Sequence, residues 1–431
     1  TMTDGAADDV TTITGNYTGV AGSQYNIDTV LGNDASATDK LIVNGNTAGA
    51  TTLSVTNVGG AGAQTVEGIQ VVQVDGTSDG AFSLAAPVQA GSYEYTLQKN
   101  GVSTPTDGDW YLRSTFLPTC DNTPSLCPVE PEPPVSIYRP AVSMYVTAQT
   151  ANADAGFLQL STLHQRMGEQ RGLSTDKAQT WGRIFTATQN NSGQARFNYE
   201  QNTTGFQFGR DLLHRTDEQG KQQRAGLTMQ YVHSSIDSED VIRPIVGLGK
   251  DTGSTSATSV GIGGYFTQIA KDGTYIDIVS QVNRLTNKFS DSYGMRSKQR
   301  GWQLGLSGEV GKPVTQVKGW NIEPQAQLSY LYSRYSDFSD LYSNIDGLNT
   351  HNLKARLGLR VHKDVVIDNK DAQYYGIVNI HHDLLKPKTI TLNDRTGTGQ
   401  ASVNERFDRT SWELGAGIQG RVGKATYLYA D

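Results

Sequence analysis

The stretch GWQLGLSGEV (residues 301–310) alternates apolar or glycine residues with mostly polar ones, and it decides the fold. The runs WNIEPQAQLSY (residues 320–330) and LKARLGLRV (residues 353–361) repeat this alternation. A period of two predicts extended strands with one apolar and one polar face. The runs are about ten residues long, which a tilted strand needs to cross a bilayer, and aromatic residues stand at their ends. We therefore predict an all-β fold, a transmembrane up-and-down β-barrel with a polar, charged lumen.

The alternation also assigns side chains to the two faces of the predicted barrel wall. Those predicted to face lipid are Val260, Ile262, Phe266, Leu304, Leu306, Leu357, Leu359, Leu414 and Ile418. Those predicted to line the lumen are Asp277, Gln281, Glu309, Glu323, Lys354, Arg356, Arg360, Glu413 and Arg421. Because this lining carries both signs of charge, we expect it to hold a polar helix by hydrogen bonds and ion pairs.

Length and composition narrow the classes of protein. A chain of 431 residues predicts two or more structural units. Only 36% of residues are hydrophobic and no run of eighteen apolar residues exists, so no transmembrane helix is predicted. The net charge of −7 gives no reason to expect nucleic acid. The chain opens without the charged and apolar regions of a signal peptide, so we interpret it as the C-terminal part of a longer secreted precursor.

Residues 1–113 are rich in Gly, Thr, Asn, Asp and Ala, and short β-like pieces alternate with turn clusters such as Asn44-Gly45-Asn46. Recurring short strands favour the stacked coils of a β-solenoid, and a small β-sandwich is the alternative. An aromatic stretch closes this region, and we expect its large rings to cover the last coil. The stretch consists of Tyr93, Tyr95, Trp110 and Tyr111.

Residues 114–149 form a predicted linker that is a domain boundary, because its prolines remove backbone donors and stiffen the chain. Cys120 and Cys127 are the two cysteines of the chain, and they lie close together in this linker. Their spacing favours a short disulfide loop formed in an oxidising compartment, and two free thiols are the alternative.

Residues 150–172 change to a helical spacing of apolar residues, and Gly168 is a candidate stop for the helix. The other face of this helix carries Asn152, Asp154, His164 and Arg166. Such a polar helix suits a water-filled tube, so we predict that it lies in the pore of the barrel. A surface linker helix is the alternative.

Residues 173–431 contain eleven predicted strands, whose connections alternate between tight turns and longer polar loops. Lys271-Asp272-Gly273 and Gly311-Lys312-Pro313 are predicted tight turns, and residues 235–253, 335–347 and 386–399 are predicted outer loops. Bacterial single-chain barrels have an even number of strands, and an open sheet edge in lipid leaves backbone groups unpaired. We therefore expect that the chain is truncated, or that a strand of another protein pairs with its edge.

Several short stretches resemble the C-terminal end of classical monomeric autotransporters (type V secretion) of the pertactin-like kind. They are VGGAGAQTVEGIQVVQVDG (residues 58–76), GSYEY (91–95), DWYLR (109–113), YRP (138–140), TLHQRMGEQ (162–170) and TWGR (180–183). The resemblance implies a β-helical passenger end whose aromatic stretch assists folding, a pore helix, and a twelve-stranded translocator whose last strand is missing here. It implies a place in the bacterial outer membrane, with the passenger end at the cell surface. An adhesin is the passenger that we expect, and a protease or an esterase is the alternative.

The partners that the resemblance implies are outer-membrane lipid and lipopolysaccharide, the barrel assembly machinery and periplasmic chaperones, around a monomeric protein. Two features depart from the family pattern. Family members end on an aromatic residue, whereas this chain ends at Asp431. Some members cleave the passenger at an Asn-Asn pair in the barrel, and Ser161-Thr162 stands in that place, so we predict no such cleavage. Cleavage by cyclisation of Asn152 is the alternative.

No other chemistry is predicted from the sequence. Gly305-Leu306-Ser307-Gly308 lacks the spacing of a nucleophile elbow, and His381-His382 are adjacent strand residues that point to opposite faces and do not suit a shared metal ion. We therefore expect no enzyme, no cofactor and no metal. The alternatives from other classes are a general porin with an accessory domain and a soluble carbohydrate-binding β-protein.

Overall fold

A computed structural model of the chain describes residues 3–118, 134–168, 179–367, 370–385, 389–421 and 427–430. The described chain contains an N-terminal region of short strands, two helices and a large antiparallel sheet. Neither of the two described helices is long and apolar enough to cross a membrane. Cys120 and Cys127 lie outside the described residues, so their disulfide stays a prediction.

The N-terminal solenoid (residues 3–113) is built from parallel strands that stack on successive coils. Its strands are β1 (Val10–Ile13), β2 (Tyr17–Gly19), β3 (Gln24–Thr29), β4 (Lys40–Val43), β5 (Thr47–Asn57), β6 (Ile69–Val74), β7 (Ala81–Leu84), β8 (Val88–Ala90), β9 (Tyr93–Lys99) and β10 (Trp110–Arg113). Val10 pairs with Lys40 and Leu41 pairs with Val72, in parallel in both cases. Parallel stacking confirms the solenoid and excludes the sandwich, whose sheets are antiparallel.

The aromatic stretch lies where the solenoid ends. β10 pairs antiparallel with both β6 and β9, so the last two strands cover the edge of the final coil, as expected. The Tyr95 hydroxyl donates to the carbonyl of Gly32 at 2.8 Å, and Trp110 packs edge-on against Phe82 with ring centroids 5.4 Å apart. Apolar side chains from every coil fill the interior of this region.

Among the described residues, the large sheet contains twelve strands, and eleven of them follow one another in antiparallel order along the wall. They are β13 (Thr180–Ser192), β14 (Phe197–Thr216), β15 (Gln222–Asp240), β16 (Asp251–Ile269), β17 (Tyr275–Asp291), β18 (Arg296–Gly311), β20 (Trp320–Tyr335), β23 (Asn349–Ile367), β24 (Lys370–Asp383), β27 (Thr410–Arg421) and β28 (Tyr427–Ala430). The prediction of eleven strands is confirmed.

The sheet curls round until its first hairpin contacts the chain in front of β27. Gly193 bridges Phe407, and the amide of Gln194 donates to the carbonyl of Arg406 at 2.8 Å. The buried Glu405 carboxylate accepts hydrogen bonds from three successive amides, at residues 195–197. These contacts bring the two ends of the strand order together, which is the arrangement of a barrel.

Side chains alternate across this wall as the sequence predicts. In β17 and β18, buried and exposed residues follow each other along almost the whole strand. All nine side chains predicted to face lipid are exposed apolar residues. Alternating apolar exposure on an outer surface is the pattern of a barrel embedded in lipid.

The two ends of the barrel differ, and the structure corrects the predicted tight turn after β18 and two of the predicted outer loops. At the short-turn end, residues 312–319 do not form a tight turn, because β19 (Thr315–Val317) pairs back onto β20. At the loop end, residues 335–347 and 386–399 contribute to a four-stranded sheet. Its strands are β21 (Phe338–Ser339), β22 (Ser343–Ile345), β25 (Ile390–Asp394) and β26 (Gln400–Val403). Strands of two to five residues carry too little alternation to be recognised.

The helix that connects solenoid and barrel begins earlier than predicted. Helix α1 (Pro140–Leu160) covers ten residues that the prediction gave to the linker, and that boundary at residues 149/150 is wrong. The segment 140–148 is buried on every side and has no polar face, so no helical spacing shows there. The linker prediction is wrong also at β11 (Thr115–Phe116), which pairs with β12 (Val135–Ser136).

The helix breaks near its end and then resumes. α1 ends at Ser161, which has a positive φ of 46°, and the short helix α2 (Leu163–Met167) follows. Thr162 and Gln165 form a reciprocal capping box at the start of α2. Gly168 has a φ of 66° and ends α2, as predicted.

Candidate functional site: the helix-filled pore

Helices α1 and α2 lie inside the barrel. α1 contacts six strands, β14 to β18 and β20, and α2 contacts β13. The surface-helix alternative is therefore wrong. The first half of α1 packs against an apolar cluster at the loop end, where Val142 and Tyr145 meet Ile345 and Leu392. The second half and α2 contact polar groups of the wall as well as an apolar cluster that contains Leu160, Leu163 and Leu331, so the surroundings of the helix change along the pore.

A buried ion pair fixes α2 near the short-turn end. The Arg166 guanidinium lies 2.7 Å from a carboxylate oxygen of Asp277, and both side chains are at most 1% exposed. The Thr267 hydroxyl donates to the same oxygen at 2.5 Å, and the guanidinium stacks over the Tyr265 ring at 5.3 Å. A charge buried this completely stays stable only while its partner is present.

A second wall carboxylate, Glu309, binds the first turn of α2. One oxygen accepts the amide of Leu163 at 2.9 Å, which satisfies a donor that every helix leaves free at its N-terminus. The other oxygen accepts the Tyr275 hydroxyl at 2.6 Å and pairs with the Arg356 guanidinium at 3.1 Å. Glu309 therefore joins the helix to two neighbouring parts of the wall.

Histidines of helix and wall meet two further carboxylates. His164 Nε2 lies 3.0 Å from Glu323 Oε1, inside the barrel. His381 Nε2 lies 2.9 Å from Glu413 Oε2, and the Gln165 amide group approaches the other oxygen of Glu413 at 3.5 Å. The two histidines thus serve separate contacts, and the described residues contain no group of three or more metal-binding side chains.

Asn152 and Asp154 bind the wall higher in the pore. The Asn152 side-chain amide donates to the side-chain oxygen Oδ1 of Asn287 at 3.2 Å. The Asp154 carboxylate lies 3.3 Å from the Lys354 ammonium, which is also 3.7 Å from Asp383. The buried Arg360 hydrogen-bonds to Gln373, a neighbour in the wall. β27 ends at Arg421, whose side chain lies outside the described part of the structure.

Uncharged side chains of the wall also bind the helix, at its backbone. Five inward-facing glutamines donate to carbonyls of α1 or of Ser161, at 2.7–3.4 Å. The pairs are Gln201 with Ala151, Gln303 with Asn152, Gln281 with Gly156, Gln207 with Gln159, and Gln327 with Ser161. The sequence analysis named only Gln281 of these five. Four of the five stand at inward parity on predicted strands, so a search for amides as well as charges finds them. Gln201 lies just before the predicted strand that begins near residue 203, so the predicted boundary excluded it.

Close packing adds to this polar contact. A Cβ atom added at Gly156 would lie 2.4 Å from Gln303 Oε1 and 2.9 Å from Leu331 Cδ1. Real Cβ atoms do not approach other atoms so closely, so a side chain here has to displace Gln303 and Leu331, whereas glycine lets α1 sit this near the wall without that displacement. The helix therefore fills this part of the lumen.

The solenoid is fastened to the loop end by buried charges. Arg243, in a 3-10 turn between β15 and β16, lies 2.7 Å from Glu94 of the solenoid. The Tyr293 hydroxyl donates to the other Glu94 oxygen at 2.7 Å. Arg139, just before α1, donates to the carbonyl of Gly91 and pairs with Asp340 at 2.6 Å. We call this set of contacts the latch.

Two donors of the latch, Arg243 and Tyr293, keep their protons at neutral pH. Burial lowers the pKa of Arg243, but the Glu94 carboxylate outweighs it and holds the pKa above its ordinary value. Burial, followed by the Glu94 carboxylate, raises the pKa of Tyr293 to about 12, so its hydroxyl keeps its proton and donates. The two donors therefore hold the Glu94 carboxylate between them.

An apolar outer wall, a polar lumen and a helix that fills that lumen define a transmembrane β-barrel with an occupied pore, preceded by a solenoid. A model of the autotransporter β-domain matches residues 180–431, and a model of the type 1 autochaperone domain matches residues 1–97. The chain therefore belongs to the autotransporter family. It is a translocator unit of the outer membrane, with its solenoid end at the cell surface, so the loop end of the barrel is extracellular and the short-turn end is periplasmic.

Three relatives show the extent of the similarity. The adhesin BmaC autotransporter of Brucella suis biovar 1 (strain 1330) is 36% identical over 97% of this chain and 12% of its own length. The protein YdeU of Escherichia coli (strain K12) is 30% identical over 99% of this chain and 94% of its own. The pertactin autotransporter of Bordetella bronchiseptica (strain ATCC BAA-588 / NCTC 13252 / RB50) is 27% identical over 84% and 40%. The chain thus spans only part of the adhesin and the pertactin relative.

Proposed function

We propose that the barrel exports the segment that precedes it and then anchors that segment at the cell surface. The observation that carries this proposal is the path of α1. Its last turn lies deep in the lumen beside Gln207, and its first turn lies at the extracellular end beside Arg139 and the latch. The chain thus runs through the pore towards the outside, which is the path of an exported segment.

The lining of the lumen supports transport of a polypeptide. Five side-chain amide groups from four strands donate to backbone carbonyls, which every sequence presents. Such contacts bind a chain without selecting its side chains, and they cost little to exchange in a wet lumen. Once the last segment adopts a helix, the ion pairs at Arg166 and Lys354 fix it there.

We propose further that the exported passenger is an adhesin, because the Brucella relative is named as an adhesin. The unit itself is proposed to act as a monomer and not as an enzyme, since its buried polar groups bind the helix. The barrel assembly machinery, periplasmic chaperones, outer-membrane lipid and lipopolysaccharide are the proposed partners. They follow from the need to insert an apolar-walled barrel into a lipid bilayer.

The test is a surface-display experiment in bacteria. A cysteine-free reporter domain with a signal peptide is fused in front of residue 3, and intact cells are treated with a protease that cannot cross the outer membrane. We expect the reporter to be digested, while a periplasmic control protein stays intact. A reporter that resists the protease although the barrel is in the outer membrane contradicts the proposal.

A further inference from the structure

Six basic residues form a patch on the outer wall of the barrel at its extracellular end. We call it the basic patch: Arg284, Lys288, Arg296, Lys298, Arg300 and Arg334. All six side chains are exposed, and they stand at the outward parity of the neighbouring strands β17, β18 and β20. The patch therefore belongs to the face that the barrel turns towards its surroundings.

The strand register places these charges side by side. Lys288 is directly opposite Lys298, and Arg284 and Arg334 flank Trp302 at one level of the wall. Outward residues follow each other at about 6.6 Å along a strand, and strands lie about 4.8 Å apart. The patch is thus roughly 20 Å high and 10 Å wide.

The six basic side chains of the patch form no ion pair with any residue that the structure describes, because none of them has a carboxylate oxygen of that part of the chain within 4.0 Å. Like charges directly opposite each other on adjacent strands are destabilising, which applies to Lys288 and Lys298. Outward acidic residues at the extracellular end lie on other strands, at Glu200, Asp237, Glu239 and Asp251, and the exposed Asp337 follows β20. In the described part of the chain, one side of the barrel is therefore strongly positive, and its basic side chains form no ion pair.

The position of the patch relative to the apolar band identifies its surroundings. Leu304 and Leu306 on β18 face outward below Trp302, and Trp302 packs edge-on against Tyr332 with centroids 5.3 Å apart. Aromatic rings of this kind mark the boundary between hydrocarbon and head groups. The basic patch begins at the level of Trp302 and continues outward, so it lies at the level of the lipid head groups in the outer leaflet.

We propose that the basic patch binds the phosphate groups of lipopolysaccharide, the phosphorylated glycolipid of that leaflet. The inference rests on the proposed function for its orientation, with the solenoid end outside. Arginine and lysine bind phosphate through charge-assisted hydrogen bonds, and several such residues near one anionic surface add their effects. Bound phosphate also removes the repulsion between Lys288 and Lys298. The patch thus gives the barrel a preferred lipid contact on one side.

The experiment uses the full chain purified from outer membranes in a nonionic detergent. The patch variant is K288Q/K298Q/R300Q, and a second variant, R284Q/R334Q, changes the level of Trp302. The matched control is K221Q/K271Q/K312Q, which removes three lysines at the periplasmic turns. Heat-modifiable migration on gels verifies that each variant is folded. Fluorescently labelled lipopolysaccharide, the same glycolipid after enzymatic dephosphorylation, and inorganic phosphate as competitor are the probes.

Each removed charge is expected to weaken binding roughly fivefold, so the patch variant loses affinity roughly a hundredfold, and the second variant loses less. The periplasmic control binds like the unmodified chain, the dephosphorylated glycolipid binds weakly, and millimolar inorganic phosphate does not displace the lipid. Equal affinity of patch variant and control, equal binding of the dephosphorylated glycolipid, or full displacement by inorganic phosphate overturns the proposal. Surface display of the reporter is measured separately, so a failure of export is distinguishable from a failure of glycolipid binding.

Discussion

Replacing Arg166 with methionine tests the ion pair that holds α2 in the pore. The substitution keeps an apolar stem of similar length but leaves the Asp277 carboxylate buried without its guanidinium partner at 2.7 Å. Breaking one side of a buried pair costs about 3–5 kcal/mol, because the remaining charge stays away from water. Undocking of α2 relieves that cost, since water then reaches the carboxylate.

The magnitude follows from that cost. Because about 1.4 kcal/mol corresponds to a tenfold change in an equilibrium constant, the constant for undocking of α2 is expected to rise by roughly two to three and a half orders of magnitude. Hydrogen exchange of the α2 amides, followed by mass spectrometry on the folded chain, measures this change. The exposed Arg215, also near the periplasmic end, provides the control variant Arg215→Met, which is expected to leave exchange unchanged.

A second substitution separates loss of the ion pair from loss of packing. In the double variant Arg166→Met with Asp277→Asn, no unpaired charge stays buried. The side-chain oxygen of the new asparagine can still accept a hydrogen bond from the Thr267 hydroxyl. We expect protection of α2 to recover at least tenfold relative to the single variant, at about 1.4 kcal/mol. If Arg166→Met exchanges like the unmodified chain, or if the second change restores nothing, the ion pair does not hold the helix.

Three further predictions concern the latch, the helix packing and the passenger. Glu94→Gln and Arg243→Met are each expected to lower the stability of the solenoid–barrel contact by about 3–5 kcal/mol. The double variant is expected to lose less than the sum of the two. If calorimetry finds that the two losses simply add, Glu94 and Arg243 do not interact. Gly156→Val is expected to push α1 away from the wall and to speed amide exchange of the helix. The control Gly308→Val, which has no atom within 4 Å of its Cβ position, is expected to leave that exchange unchanged. If the helix exchanges equally fast in both variants, the packing argument is wrong. We expect that passenger and barrel stay one polypeptide on denaturing gels, both in the unmodified chain and in Asn152→Ala. A fragment that ends at residue 152 and occurs only in the unmodified chain would show cleavage at Asn152 and contradict this prediction.

Alternation along the strands made the barrel predictable, because lipid outside and polar groups inside impose opposite demands on successive residues. The same rule placed Asp277, Glu309 and Glu323 in the lumen, where they bind α2. It could not state which helix residue each one contacts. That pairing depends on how far the helix is inserted and how it is rotated, and neither follows from a period of two.

Other features were hidden for different reasons. The start of α1 at Pro140 was missed because a segment buried on all sides carries no amphipathic signal. The latch joins Glu94 to Arg243, which are 149 residues apart, and nothing local in the sequence marks either one. The solenoid could be favoured over a sandwich only modestly, since parallel and antiparallel pairing of short strands look alike in sequence.

The occupied pore is the central claim, and ion conductance in planar lipid bilayers tests it most directly. A chain that begins at residue 134 keeps α1 and α2 without the solenoid, and a chain that begins at residue 179 lacks both helices. We predict that the first stays almost closed and that the second conducts continuously. Equal conductance of the two chains contradicts a pore that the helices fill.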